Sequence, residues 1–307
     1  MRSVIRLYTN AFGGLSPSAW MLAVVILINR SGTMVIPFLS VYLISALDFT
    51  LIQAGWIMTA FGVGAIGGSF LGGWLTDKIG PFRVQLISLF GGGVMFLALS
   101  QITEFYPLAT FIFFVSLVSE MLRPANQLAV ASYARPENVT RAFSLNRMAI
   151  NLGFSLGPAI GGLLAAASYE LLFVADAVTC ISAGLVFYFY FRNKEENKPK
   201  EKEVMVLPKE KSVWKDYRFL GFIGLVMVFA MLFFQLFTTW PIYQRQAYNL
   251  PEEEIGLLLG LNGLIVFLFE MIIVYQIGDR LAPRWLIAIG CLLVSFAMLT
   301  LFSFDAI

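Results

Sequence analysis

Hydrophobic runs long enough to cross a bilayer recur along nearly the whole chain, and no other feature restricts its fold so strongly. A hydrocarbon core of about 30 Å takes roughly 20 residues of helix. Nine runs of that order extend over Trp20–Ser45, Leu51–Leu71, Val84–Ile102, Pro107–Val130, Phe143–Ala167, Glu170–Phe191, Phe219–Tyr243, Ile255–Ile277 and Trp285–Phe304. In hydrocarbon each backbone N–H and C=O must find its partner inside the protein, so runs of this length predict helices. The glycines and prolines within several runs are compatible with that, both being commoner in membrane helices than in soluble ones.

Composition excludes the main alternatives. Hydrophobic residues make up 59% of the 307 and charged residues 13%, and mean hydropathy is +0.79. An average soluble domain is about half apolar and a quarter charged. A net charge of +2 is too small to indicate nucleic acid as a partner. There is no histidine, the commonest metal ligand and catalytic base. Cys180 and Cys291 both sit in apolar runs, where cysteine behaves as a small hydrophobe. No nucleophile–base pair, metal spacing or phosphate loop is present, so the chain reads as no enzyme and needs no cofactor. The first residues contain Arg2 and Arg6 but no compact apolar core before a small-residue cleavage site, so the first run predicts a retained helix.

The bases give an orientation. With the amino terminus in the cytoplasm, Arg245 is the one base of 21 on the outer side, while Arg30 and Arg123 lie within helices. The positive-inside rule therefore places the amino terminus in the cytoplasm of a multi-pass protein of the inner or plasma membrane. The stretch after the sixth run is charged, carries Pro199 and Pro208, and has no apolar periodicity. It reads as a solvated linker, dividing the chain into a six-helix bundle over 1–191, a linker over 192–218 and a partial bundle over 219–307.

The two parts resemble each other. Asp77-Lys78 after the second run is followed by Pro81 and Arg83, and Asp279-Arg280 after the eighth by Pro283 and Arg284. Parallel six-helix repeats are one way to build transporters. By that repeat a second half as long as the first needs about three more helices than the chain supplies.

Gly73-Trp74-Leu75-Thr76-Asp77-Lys78-Ile79-Gly80-Pro81-Phe82-Arg83 is similar to G-x-L-x-D-R/K-x-G-R-K, the cytoplasmic loop motif of the major facilitator superfamily, with Pro81 and Phe82 in place of paired bases. The fifth run carries Gly153, Gly157, Pro158, Gly161 and Gly162 in a full G-x-x-x-G-P-x-x-G-G match, which resembles the signature of that superfamily's drug:proton antiporters. The resemblance covers essentially the whole chain. It implies an all-α integral membrane bundle, six N-terminal helices plus about three of the second half. It also implies that the loop acts as a latch, and that two bundles alternate access to a substrate. Physically, the glycines let the second and third helices turn and approach closely, Asp77 can cap a helix start, and Pro158 kinks a small-residue packing face.

Polar residues within the runs are expensive in a bilayer and become functional candidates. Arg30, beside Asn29 and ahead of Pro37, can bind a carboxylate or tie helices together. Proton-coupled peptide importers of the superfamily carry E-x-x-E-R here; Ile26 and Asn29 replace both acids. Glu120, Arg123 and Gln127 share a helical face, with Asn126 beside them, and Glu120 is the proton-carrying candidate of the first half. Glu270 has no base in its own helix, as a coupling site requires, and Asn262 lies two turns away. Asn151, Ser155, Gln235, Thr238 and Thr239 complete the set, while Asp176 reads as structural.

The expected function is proton-driven efflux of small amphipathic or hydrophobic compounds, with the proton gradient as energy source. The alternatives are proton-coupled import of a peptide, sugar or organic anion, and a truncated, non-transporting membrane protein. Membrane lipid and a small-molecule substrate are the expected partners of a monomer.

Overall fold

The computed structural model describes residues 13–196, 216–277 and 282–304. The expected linker from 197 to 215, the bases Arg2 and Arg6, the repeat residues Asp279 and Arg280, and the Glu270 side chain lie outside the described residues.

Among the described residues the chain forms eleven α-helices: α1 Pro17–Ser31, α2 Val35–Ser45, α3 Leu51–Ile79, α4 Pro81–Leu99, α5 Phe105–Glu120, α6 Leu122–Tyr133, α7 Val139–Ala167, α8 Glu170–Glu196, α9 Tyr217–Tyr248, α10 Glu252–Ile277 and α11 Pro283–Phe304. Among the described residues there are no strands. Among the described residues seven segments are long and apolar enough to cross a membrane, counting α1 with α2 and α5 with α6 as single crossings. Their outward faces are apolar: Ile66, Phe70 and Leu225 are each more than 70% exposed, as suits side chains whose solvent is lipid. The protein is an all-α membrane bundle.

Local chemistry sets the helix ends. Pro17 occupies the first turn of α1, and the Ser16 hydroxyl accepts from the Ala19 amide at 3.1 Å. Thr50 and Gln53 form a reciprocal capping box on α3. Two crossings are broken by proline. Pro37 has no N–H for the Thr33 carbonyl and Pro124 none for the Glu120 carbonyl, and the chain interrupts the helix at Gly32–Met34 and at Met121.

The second crossing is longer than its apolar run predicts. α3 continues to Ile79, about 43 Å at 1.5 Å per residue. The expected cytoplasmic loop is therefore helix: Gly73, Asp77 and Lys78 sit on the final turns of α3, and the connection is Gly80 alone, at φ +82°. Pro81 then opens α4. Asp77 caps no helix start, because the N-cap of α4 is Gly80 and Asp77 is exposed. Lys78 lies over the Trp74 ring, 3.9 Å from its centroid, and Arg83 is exposed on α4.

Helices pair across the sequence: α3 with α5, α1 with α7, and α4 with α8. The expected close approach of the second and third helices through the motif glycines does not occur. A side chain at Gly73 would meet nothing within 4 Å, whereas one at Gly64 or Gly68 would strike the carbonyl of Phe113 or Leu117. Gly72 faces Met121 in the same way. Spacing by four on both helices brings the backbones together, where van der Waals contact replaces the hydrophobic drive absent in lipid. Ser116 Oγ strengthens the pair by donating to the Phe61 carbonyl at 2.7 Å.

By its contacts the chain divides into two units, Met1–Glu203 with Phe237–Leu264, and Val204–Leu236 with Ile265–Ile307. In the first unit, the end of α9 and the start of α10 join the six-crossing bundle. A side chain at Gly162 or Gly256 would collide with the other helix, and Ser155 Oγ donates to the Gly260 carbonyl at 2.8 Å. The α7 motif thus presents two small faces, Gly153, Gly157 and Gly161 toward α1 and α2, and Gly162 with Ser155 toward α10. In the second unit, the start of α9 and the whole of α11 expose mostly apolar side chains.

Candidate functional site

Inside the first unit, α1, α4, α5 and α8 surround a cavity of about 40 Å³. Asn29, Arg30, Ser88, Ser119, Glu120 and Asp176 are among its polar lining. Each reaches it for a local reason. Asn29 and Arg30 belong to the last turn of α1 before the Gly32–Met34 interruption, and Glu120 is the last residue of α5 before the Met121 interruption. The two proline-induced breaks therefore carry the charged residues, near the middle of their crossings.

Arg30 is 9% exposed and its Nε–H has no hydrogen-bond partner. Its guanidinium stands 5.7 Å from the Phe154 ring centroid, and Gly153 makes room for its Cβ on α7. The charges acting on it are those of Glu120 and Arg123. An arginine at mid-bilayer costs at least about 2.5–3.5 kcal/mol even on insertion scales, so its retention argues for use.

Glu120 is buried and pairs with Arg123, with Oε2 2.6 Å from Nε. The Arg123 side chain is 52% exposed, so the pair joins a buried carboxylate to an exposed guanidinium. Glu120 and Gln127 do not share one straight helix, since the break at Met121 separates them, and Gln127 is exposed and off the cavity. Asn126 is the buried neighbour; its Nδ2 donates to Asn146 Oδ1 at 3.2 Å. Asn29 Nδ2 contacts Cys180 Sγ at 3.3 Å.

Asp176 is 3% exposed and does structural work at the cavity edge, accepting from the Met34 amide at 2.9 Å and the Val35 amide at 3.3 Å. It caps the N-terminus of α2 from another helix. Gly32 lies directly against Thr179, one turn further along α8.

The remaining candidates stand apart. Asn151 is half-buried on α7 and outside the cavity lining. Asn262 is exposed on α10, and Gln235 is exposed on α9 in the second unit. A second polar cluster was not singled out by sequence. Tyr169 Oη donates to Glu252 Oε1 at 2.7 Å, and Arg245 Nη2 lies 3.6 Å from the same oxygen. Burial, with the Glu252 bond and charge added, raises the Tyr169 pKa above the ordinary value for a phenol. The readable signal was the acidic first turn Glu252–Glu254 behind Pro251, which marks a helix start and gives a buried carboxylate a neighbouring helix end.

Comparison with known proteins agrees with this architecture. The chain is 26% identical over 293 residues to the uncharacterized MFS-type transporter YqjV of Bacillus subtilis (strain 168), covering 92% of this chain and 70% of that protein. It is 26% identical over 249 residues to the quinolone resistance protein NorA of Staphylococcus aureus (strain MRSA252), covering 78% of this chain and 61% of NorA. The crystal structure of a peptide transporter POT in complex with sulfate shares the fold, with a TM-score of 0.51 at 21% identity, over 88% of this chain and 55% of that one. The chain thus spans between 55% and 70% of the length of these three proteins. A sequence profile described as Major Facilitator Superfamily matches residues 19–307, nearly the whole of the bundle, and the chain belongs to that family.

Proposed function

We propose that this chain serves proton-coupled efflux of small amphipathic or hydrophobic compounds by alternating access, from an inner or plasma membrane, as a monomer with a cytoplasmic amino terminus. One observation carries the reading: a buried carboxylate, Glu120, sits at a helix break on a cavity and is held by an arginine whose side chain is half exposed. A proton on Glu120 cancels its attraction for Arg123, and the break at Met121 supplies a hinge for the response. Proton binding thereby favours one arrangement of the crossing over the other. That the relative NorA is a quinolone resistance protein supports outward transport of foreign compounds. The charge distribution supports the orientation.

Dye efflux from vesicles holding the protein, driven by an imposed pH gradient, tests the proposal. Wild type is expected to export a fluorescent amphipathic dye only with the gradient, and Glu120→Gln to abolish the dependence. Gradient-independent leakage, or unchanged efflux in Glu120→Gln, refutes it.

A second reading, proton-coupled import of a peptide, sugar or organic anion, is favoured by Arg30 on the cavity wall. Flux of the opposite sign under the same gradient distinguishes the two.

A further inference from the structure

We infer that the parts of α9 and α10 flanking their shared turn form a strap over one end of the six-crossing bundle, held in a poised balance. The Tyr169–Glu252 contact holds the strap down, and the buried amide of Gln244 works against it. The balance belongs to the resting protein and stands apart from substrate and direction of transport.

Topology brings the parts together. Counted by crossings, the end of α2, the α7–α8 turn and the α9–α10 turn lie at one end of the bundle, opposite the Gly80 turn. The strap runs from Phe237 to Leu264, where α9 and α10 each pass from one unit to the other, and a place for bending stands near both limits. Pro241 has no N–H for the Phe237 carbonyl, and Gly260 and Gly263 loosen α10. Three hydrogen bonds fasten the strap. Ser40 Oγ donates to the Thr238 carbonyl at 3.0 Å, Ser155 Oγ to the Gly260 carbonyl at 2.8 Å, and Tyr169 Oη to Glu252 Oε1 at 2.7 Å. The first two end on backbone carbonyls, which any residue supplies, whereas the third needs its own side chain at each end. Tyr169 is steadied by Tyr42 of α2, 5.4 Å away between ring centroids. Glu252 is steadied by Arg245, whose Nη1 donates to the Leu250 carbonyl at 3.1 Å while Nη2 lies 3.6 Å from the carboxylate.

The opposing element is on α9. Its buried residues are Pro241 and Gln244, one turn apart on the face pressed to the bundle. Gln244 is 4% exposed, and its Oε1 is closed off from solvent without a hydrogen-bond partner. A buried acceptor left unpaired costs free energy that is recovered when water reaches it, so this amide favours the open strap. An apolar side chain of the same length would fill the same place without that cost. Catch and counterweight together leave the strap neither locked nor loose, as a segment that opens on its own requires. Opening bares the α7 face of Ser155 and Gly162 to water, so the strap is the gate of that end.

Hydrogen–deuterium exchange of the nanodisc-embedded protein, read by mass spectrometry, tests the balance on peptides spanning 242–256, with peptides of α4 as the reference. Tyr169→Phe is expected to speed exchange there about tenfold and Gln244→Met to slow it about fivefold, with α4 unchanged in both. Opposite signs from two substitutions on one strap are what a balance produces and what a plain packing contact does not. Tyr169→Phe at the wild-type rate overturns the proposal. Gln244→Met at or above the wild-type rate does so too, as does an equal change in α4. Should Tyr169→Phe fail to fold, Ser40→Ala loses the bond to the Thr238 carbonyl and is expected to speed the same peptides several-fold. Unchanged exchange in Ser40→Ala overturns the proposal as well.

Discussion

The Asp176 carboxylate accepts the Met34 amide at 2.9 Å, so a residue of α8 terminates a helix of the first crossing. With the Val35 amide as second donor, the carboxylate satisfies two of the N–H groups that the Gly32–Met34 interruption leaves without intrahelical partners. In a bilayer those donors have no water to turn to. Asp176→Asn keeps one acceptor but turns an amide NH₂ group toward a donor, and Asp176→Leu removes both acceptors. The asparagine variant is expected to lose about 1–3 kcal/mol of stability and the leucine variant more. Thermal denaturation of the detergent-solubilised protein checks this, and unchanged melting of Asp176→Leu would show that the cap is dispensable.

Two glycines five residues apart on α3 have opposite roles. At Gly68 an added Cβ strikes the Leu117 carbonyl, while at Gly73 it meets open space. Gly68→Ala is expected to push α3 from α5 at a cost of about 1–3 kcal/mol. Gly73→Ala is expected to be neutral or to stabilise by up to about 1 kcal/mol, the helix-propensity gain. Fluorescence-detected size-exclusion profiles after heating compare the two, and equal losses would contradict the assignment of Gly68 to packing.

What sequence could reveal divides along physical lines. Crossings were legible because hydrophobic length is a property of each segment alone, whereas the break ahead of Pro124 was not foreseen, although a proline's missing N–H acts locally. Helix pairing was not, because it depends on which face meets which neighbour. Gly64, Gly68 and Gly72, like Gly256 and Gly260, recur every four residues and could have marked the real contact faces. The recognisable motif drew attention instead to Gly73, which packs on nothing. In the cavity, Arg30 and Glu120 stood out as intramembrane charges. Gln127 was grouped with them by a regular helical period that the interruption at Met121 does not keep.

Pro124 sets that interruption, and its removal separates stability from transport. An alanine there supplies the N–H that the Glu120 carbonyl lacks and lets α5 and α6 join as one helix. Pro124→Ala is expected to gain stability, by no more than the roughly 3 kcal/mol that a proline costs within a helix. It is expected to slow gradient-driven efflux, because the hinge next to Glu120 is stiffened. Melting temperature and efflux rate measured on one preparation decide the point: a variant both more stable and equally fast would mean that the break has no part in transport.

The Tyr169–Glu252 hydrogen bond gives a pH prediction whose sign can be worked out. Tyr169 is the donor, so the bond exists only while the phenol keeps its proton. Burial and the Glu252 carboxylate raise the folded pKa above the unfolded value near 10. A raised pKa means that the contribution is complete below about pH 10 and is lost as pH climbs through the higher folded value. Wild type and Tyr169→Phe should therefore differ by a constant amount between pH 6 and 9, about 1–2 kcal/mol for a hydrogen bond to a carboxylate exposed to some solvent. Above pH 10 the two should converge, because the unfolded phenol ionises while the folded one still keeps its proton. Arg245 lies 3.6 Å from the same Glu252 oxygen, so Arg245→Gln should also lower stability. Melting curves of the three proteins across the series test the assignment. A gap between wild type and Tyr169→Phe that narrows below pH 9 would mean that a group other than the phenol governs the contact.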